Sequence, residues 1–348
     1  TIDRTLQYKA CERLRQGFYE YGATSASLLI LDPKTGAIRA MCSLPDFDPN
    51  TYNVVEDTRV YNNTTIFTPY EPGSIFKPLT MIAAMNEEKL TPDTYFYDTG
   101  SVDAHCTKPI QNALNKVYKD QTMTGVLENS INTGMVHVVN LLGKHAFLAY
   151  LEAYGFGLKT GIPLDSEVTG TIETLREKKT DQVDCYTSTA SFGQGITVTP
   201  LQMLTAFGAI ANEGRIMKPY IVEEIRAADG KIIRTVPEVT KQVVSAQSAT
   251  LLSAMLVRVI GTGQAKIAAV PGYYVAGKTG TAQIAGPGGY TSDTNHSFVG
   301  FAPVDNPAFV MIVKYEKPQR RFADSTAAPV FRDIATFILD YYQIAPER

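Results

Sequence analysis

Tyr274-Val275-Ala276-Gly277-Lys278-Thr279-Gly280-Thr281-Ala282-Gln283-Ile284 is the stretch on which the reading of the fold turns. Its residues show no helical period, and two further strand-like runs follow at 297–302 and 308–315. Matching runs stand near the other end, at 26–31 and 37–43, joined by the turn Asp32-Pro33-Lys34-Thr35-Gly36. Residues 6–21 read as an opening helix and 327–342 as a closing helix with an apolar face. Strands at both ends imply one shared sheet. The expectation is an α+β fold: a roughly five-stranded antiparallel sheet, covered by the terminal helices, with a large inserted and mostly helical lobe. In a single domain, the sheet lobe takes 1–60 and 271–348 and the helical lobe 61–270, where helices are expected at 77–89, 124–128, 133–143, 145–154, 201–212 and 246–259. The motifs face a cleft between the lobes. The Gly-rich stretch 285–290 reads as a loop, either a gate over that cleft or a plain surface turn.

Lys-Thr-Gly occurs three times. Lys34-Thr35-Gly36 and Lys159-Thr160-Gly161 lie among turn residues, so only Lys278-Thr279-Gly280, followed by Thr281, sits within a strand pattern. A glycine inside a strand is costly unless something must approach its backbone, as a peptide laid along the strand would. Lys278, Thr279 and Thr281 then suit a terminal carboxylate, with Gly280 allowing the approach.

Upstream stands Ser74-Ile75-Phe76-Lys77, after Glu71-Pro72-Gly73 and before the helical run. Pro78 is tolerated only in a first helical turn, which puts Ser74 at a helix N-terminus and Lys77 one turn on. A serine needs a base to become a nucleophile, and a lysine serves only if burial and a nearby cation, here Lys278, lower its pKa. Between the two motifs lies Ser130-Ile131-Asn132, in a helix connection whose alternation turns both polar side chains one way. Ser130 can pass a proton and Asn132 can hold a peptide carbonyl, while backbone N–H groups of Ser74 and Thr281 suit an oxyanion.

Other classes fit poorly. The 348 residues are 44% apolar and 19% charged with net charge −3, which describes a globular chain without a basic stripe and excludes nucleic acid as a partner. No apolar run is long enough to span a bilayer, and the start at Thr1 points to a membrane anchor removed upstream. Cys11, Cys42, Cys106 and Cys185 lack metal-ligand spacing; the sequence favours unpaired structural thiols, with Cys106 and Cys185 as the pair to test in an oxidising compartment.

The three motifs, with Ser43-Leu44-Pro45-Asp46-Phe47-Asp48-Pro49-Asn50, SFGQGITVTPLQ at 191–202 and GKTGTAQ at 277–283, resemble the transpeptidase domain of class B penicillin-binding proteins over nearly the whole chain. The resemblance implies that Ser74 attacks D-Ala-D-Ala in peptidoglycan stem peptides to form an acyl-enzyme, which an amine on a second stem peptide resolves as a cross-link. It implies acylation by β-lactams and no metal or cofactor. It further implies a membrane glycan polymerase and other cell-wall synthesis proteins as partners, with the catalytic domain on the outer face of the bacterial membrane. Ile131 departs from the small or polar residue usual at the middle of its motif, and must point away from the cleft. Residues 102–120 match less well.

Three rivals share features. A class A β-lactamase needs a glutamate in an E-x-x-x-N pattern, and the only such spacing, Glu128 to Asn132, overlaps the second motif. A D,D-carboxypeptidase differs only in passing the acyl group to water, and a β-lactam-sensing receptor domain only in not turning over. A Ser-His-Asp hydrolase lacks its G-x-S-x-G elbow.

Overall fold

The computed structural model describes residues 1–177 and 181–347. Five strands, β1 (Ser25–Leu31), β2 (Ile38–Leu44), β3 (Ala276–Gly286), β4 (Gly289–Ala302) and β5 (Phe309–Glu316), form one antiparallel sheet in the order β3-β4-β5-β1-β2. The ends of the chain thus share a sheet, as expected. Leu29 pairs with Ile312 on one side and Met41 on the other. The central strand β5 is buried from Phe309 to Tyr315 because helices cover both faces, which explains a continuous apolar run in place of alternation.

Helices α1 (Arg4–Glu20) and α7 (Ala327–Tyr341) pack on each other and on the sheet. The inserted segment supplies α2 (Lys77–Asn86), α3 (Met123–Glu128), α4 (Asn132–Leu142), α5 (Pro200–Ala211) and α6 (Ala246–Gly261). Every residue of α5 is buried, and its start is the expected capping box: Thr199 Oγ1 accepts from Gln202 N while Gln202 Oε1 accepts from Thr199 N. At the β2 edge, the Gln7 amide of α1 bonds both backbone groups of Met41, at 2.8 Å each, so that edge is closed to further pairing. Among the described residues, the opposite edge, β3, has no neighbouring strand on its outer side.

The inserted segment is mostly helical, as expected. It also carries short two-stranded pieces, Tyr95–Asp98 with Lys119–Thr122 and Arg215–Met217 with Val239–Gln242 among them. Strands such as Lys-Asp-Gln-Thr are too short and polar to show a period in sequence. In the sheet, the Gly-rich stretch is the plain turn of the two alternatives: β3 runs to Gly286 and β4 resumes at Gly289.

The expectation of unpaired thiols is overturned, and the pair singled out for test is formed. Cys11 joins Cys42, tying α1 to β2, and Cys106 joins Cys185 across 79 residues of sequence. Linear spacing could not show this, because each pair is brought together only by the tertiary fold. Replacing Cys106 and Cys185 together by serine is expected to lower the unfolding free energy by about 2–4 kcal/mol. Urea denaturation against the wild type under non-reducing conditions measures it.

Candidate active site

Ser74 lies in a single 3-10 turn, Gly73–Phe76, that runs directly into α2. Ile75 and Phe76 are fully buried and anchor the turn, leaving Ser74 facing a cleft of about 190 Å³. Pro78 sits in the first turn of α2, as its missing N–H requires.

Two glycines let this turn approach β3. Gly73 has φ +58° and donates its N–H to Gly193 O at 2.9 Å; a Cβ there would meet Ala282 Cβ at 2.8 Å. A Cβ on Gly280 would stand 2.7 Å from Ser297 Oγ and 3.0 Å from both Pro72 O and Ile75 Cγ2. The close approach that Gly280 permits is therefore that of the serine's own turn, where the sequence suggested a bound peptide. Gly280→Ala is expected to push the turn away from β3 and to cost about 1–3 kcal/mol of stability. A fall in penicillin acylation, followed by intact mass, accompanies it.

Lys77 is fully buried, and its Nζ meets Ser130 O at 2.5 Å, Asn132 Oδ1 at 2.8 Å and Ser130 Oγ at 3.1 Å. Lys278, 1% exposed, reaches the same Ser130 Oγ at 3.1 Å and Thr279 O at 3.2 Å. One hydroxyl thus stands between two buried amines. Burial, and then the like charge of Lys278, hold Lys77 well below the ordinary lysine range; burial brings Lys278 down to about 7. A neutral Lys77 has two N–H bonds, which suit Ser130 O and Asn132 Oδ1, and one lone pair left to receive a hydroxyl proton.

Ser130 adopts φ +55°, which turns its carbonyl and its hydroxyl toward one amine. Ile131 is fully buried, so it points away from the cleft as required. Asn132 begins α4 and donates Nδ2 to Gln111 O at 2.9 Å. Thr281 Oγ1 accepts from Ala323 N at 3.1 Å, which ties the end of the third motif to the segment after β5. The structure brings Ser74, Ser130, Asn132, Thr279 and Thr281 around one cleft, with Lys77 and Lys278 behind them and Gly280 against the turn. A larger cleft of about 670 Å³, near Lys34 and Asn212, holds none of the motif side chains.

The other Lys-Thr-Gly copies are turns. Asp32 caps the first through Lys34 N, and the buried Glu167 carboxylate occupies the second, taking Thr160 N, Thr160 Oγ1 and Gly161 N. Glu128, the residue with lactamase-like spacing, is an ion-pair partner of Arg258 at 3.0 Å.

Sequence reasoning missed the supports. Asp98 is a fully buried carboxylate that accepts from Gly100 N, Tyr118 N, Asn112 Nδ2 and Thr133 Oγ1, and Asn112 Oδ1 takes Thr133 N next to Asn132. Glu71 accepts from Gly195 N and from Tyr290 Oη at the β3–β4 tip, which tethers that hairpin beside the serine turn. Phe192, Gln194 and Phe322 line the cleft. Asp98, Asn112, Tyr290 and Phe322 stand outside every quoted motif, whereas Glu71, Phe192 and Gln194 fall within quoted segments that carried no assigned role.

The chain is 36% identical over its full length to stage V sporulation protein D of Bacillus subtilis (strain 168), covering 54% of that protein. It is 30% identical over 99% of its length to the peptidoglycan D,D-transpeptidase FtsI homolog of Mesostigma viride, covering 62% of it. The chain therefore spans between half and two thirds of these relatives. Among solved structures, penicillin binding protein 3 of Mycobacterium tuberculosis complexed with aztreonam superposes with a TM-score of 0.92 at 29% identity, covering 100% of this chain and 80% of that one. The apo TP domain of Burkholderia pseudomallei penicillin-binding protein 3 gives 0.83 at 26% identity, covering 100% and 97%. The profile of the penicillin binding protein transpeptidase domain matches residues 26–336, and with the relatives it establishes that the chain belongs to that family.

Proposed function

We propose that this chain is the catalytic domain of a peptidoglycan D,D-transpeptidase that works through a Ser74 acyl-enzyme and is acylated by β-lactams. The observation that carries the reading is Ser130 Oγ, 3.1 Å from both buried amines, in the cleft that Ser74 faces. Lys278, with Thr279 and Thr281, binds the terminal carboxylate, and Asn132 orients the peptide. Neutral Lys77 takes the Ser74 proton as Oγ bonds to the penultimate D-Ala carbonyl carbon. Backbone N–H groups of Ser74 and Thr281 stabilise the oxyanion. Ser130 relays the proton from Lys77 to the departing nitrogen, the C–N bond breaks and D-Ala leaves. An amine of a second stem peptide then attacks the ester carbonyl and gives a proton to Lys77; the C–Oγ bond breaks, Lys77 returns the proton to Ser74 Oγ, and a cross-link is left.

The wider reading follows the family. The chain is read as a single transpeptidase domain of two lobes, acting on the outer face of the bacterial membrane beside a glycan polymerase and other cell-wall synthesis proteins. Both disulfides support an oxidising compartment. No helix among the described residues is long and apolar enough to cross a membrane.

The test is intact mass after brief exposure to penicillin, with peptide mapping, and then incubation with donor and acceptor stem peptides. A persistent adduct on Ser74 and a cross-linked product are expected. Rapid loss of the adduct with hydrolysed drug indicates a β-lactamase, released D-Ala without cross-link a carboxypeptidase, and an adduct without any turnover a sensor. No adduct on folded protein refutes the site.

A further inference from the structure

None of the residues lining the cleft is acidic, and Lys278 stands at its base. On the reading above, a peptide whose terminal carboxylate sits at Lys278 extends along the free edge of β3 past Thr281. The segment after β5 meets it there, because Ala323 N is bonded to Thr281 Oγ1 and the preceding Phe322 lines the cleft. Directly before Phe322 come two exposed arginines, Arg320 and Arg321. The Arg321 guanidinium lies over the Phe322 ring, 5.1 Å from its centroid.

Among the described residues, Arg321 forms no ion pair, while the neighbouring Lys317 is paired with Asp293 at 3.1 Å and Arg320 donates to Gln319 O. A guanidinium stacked on an aromatic face keeps the N–H donors along its edge, fixed in plane and free for a carboxylate. Held in that way, it loses little freedom on binding.

We propose that Arg321 is a specificity residue at the rim of the cleft, recognising a second carboxylate on the substrate, carried outside the terminal dipeptide. This rests on the acyl-transfer reading of the cleft and deepens it: the preferred donor peptide bears an acidic group next to the residues that are cut. Lys278 is assigned to the terminal carboxylate and no acidic side chain lines the cleft to oppose a second one, so Arg321 is the charge assigned to separating an acidic donor from its amidated counterpart.

The probes are benzylpenicillin and carbenicillin, which differ by one carboxylate on the acyl side chain. The measurement is the ratio of their second-order acylation rates. Arg321→Ala is expected to lower the carbenicillin to benzylpenicillin ratio about five-fold, the upper end for an exposed charge pair. Arg321→Lys, which keeps the charge and loses the stacked fork, recovers part of it. Arg320→Ala leaves the ratio unchanged. An unchanged ratio in Arg321→Ala overturns the proposal, as does an equal fall in Arg320→Ala, which would report a diffuse field. If neither drug acylates the wild-type protein, the acyl-transfer reading itself fails, an outcome distinct from both.

Discussion

Lys77→Met is expected to slow acylation by penicillin by about three orders of magnitude, within the range for loss of a general base, while the chain stays folded. Ser74→Ala is expected to abolish the adduct, since it removes the nucleophilic oxygen itself. The lysine prediction depends on a neutral amine. Lys77 is fully buried and shares Ser130 Oγ with Lys278, so two ammonium groups there would repel each other without solvent. Methionine fills a similar volume without a basic nitrogen, and it leaves Asn132 Oδ1 short of a donor.

The same residue makes a stability prediction of definite sign. A lysine titrates near 10.4 in the unfolded chain, whereas burial and Lys278 lower Lys77, and burial brings Lys278 down to about 7. In that window the unfolded chain binds more protons than the folded one, so stability rises with pH between about 7 and 10. Lys77→Met removes one of the two groups and makes the rise shallower. Thermal denaturation across this range, beside acylation rates at each pH, checks both halves. A variant that still acylates at the wild-type rate would show that Lys77 is not the base.

The motif residues were legible because their chemistry is local: Ser74 and Lys77 lie one turn apart, and Lys278, Thr279 and Thr281 lie on one strand. The sheet was legible because β1 and β5 are continuous apolar runs, with burial on both faces written into their composition. The Ser130 backbone was not legible. A serine at φ +55° is selected by what its carbonyl and hydroxyl must meet across the cleft, and no neighbour in sequence announces it. The crowding at Gly280 was not legible, since the atoms that a Cβ there would meet, Pro72 O and Ile75 Cγ2, are some 200 residues away in sequence. The Cys11–Cys42 disulfide was missed for a related cause. Cys11 and Cys42 lie on different elements, α1 and β2, whose packing alone brings them together.

Asp98 is the longest-range case, and Asp98→Asn is expected to cost about 3 kcal/mol of stability and to slow acylation about ten-fold. The carboxylate gathers donors from four places: Gly100 N at 2.9 Å, Tyr118 N at 2.7 Å, Asn112 Nδ2 at 2.9 Å and Thr133 Oγ1 at 2.6 Å. Burial alone raises its pKa, but the bonds from Thr133, Gly100, Tyr118 and Asn112 outweigh that and hold the carboxyl below its usual range. An amide has one acceptor oxygen and turns its own N–H toward donors, so at least one partner is left facing another donor in a dry site. The loss reaches chemistry by a short path, since Asn112 holds the first turn of α4 through Thr133 N and the neighbouring Gln111 holds Asn132 Nδ2. Asn132 in turn sets one of the three contacts of the Lys77 amine. Asp120→Asn, at an exposed carboxylate that takes only the Tyr95 hydroxyl, is the matched control and is expected to stay within about 0.5 kcal/mol. Because the Asp98 pKa is depressed on folding, its contribution is present above the unfolded value near 4 and is lost as pH falls through the folded one. Wild-type stability should therefore drop in acid more steeply than that of Asp98→Asn. Equal acid sensitivity, or a stability loss with unaltered acylation, would separate this carboxylate from the placement of Asn132.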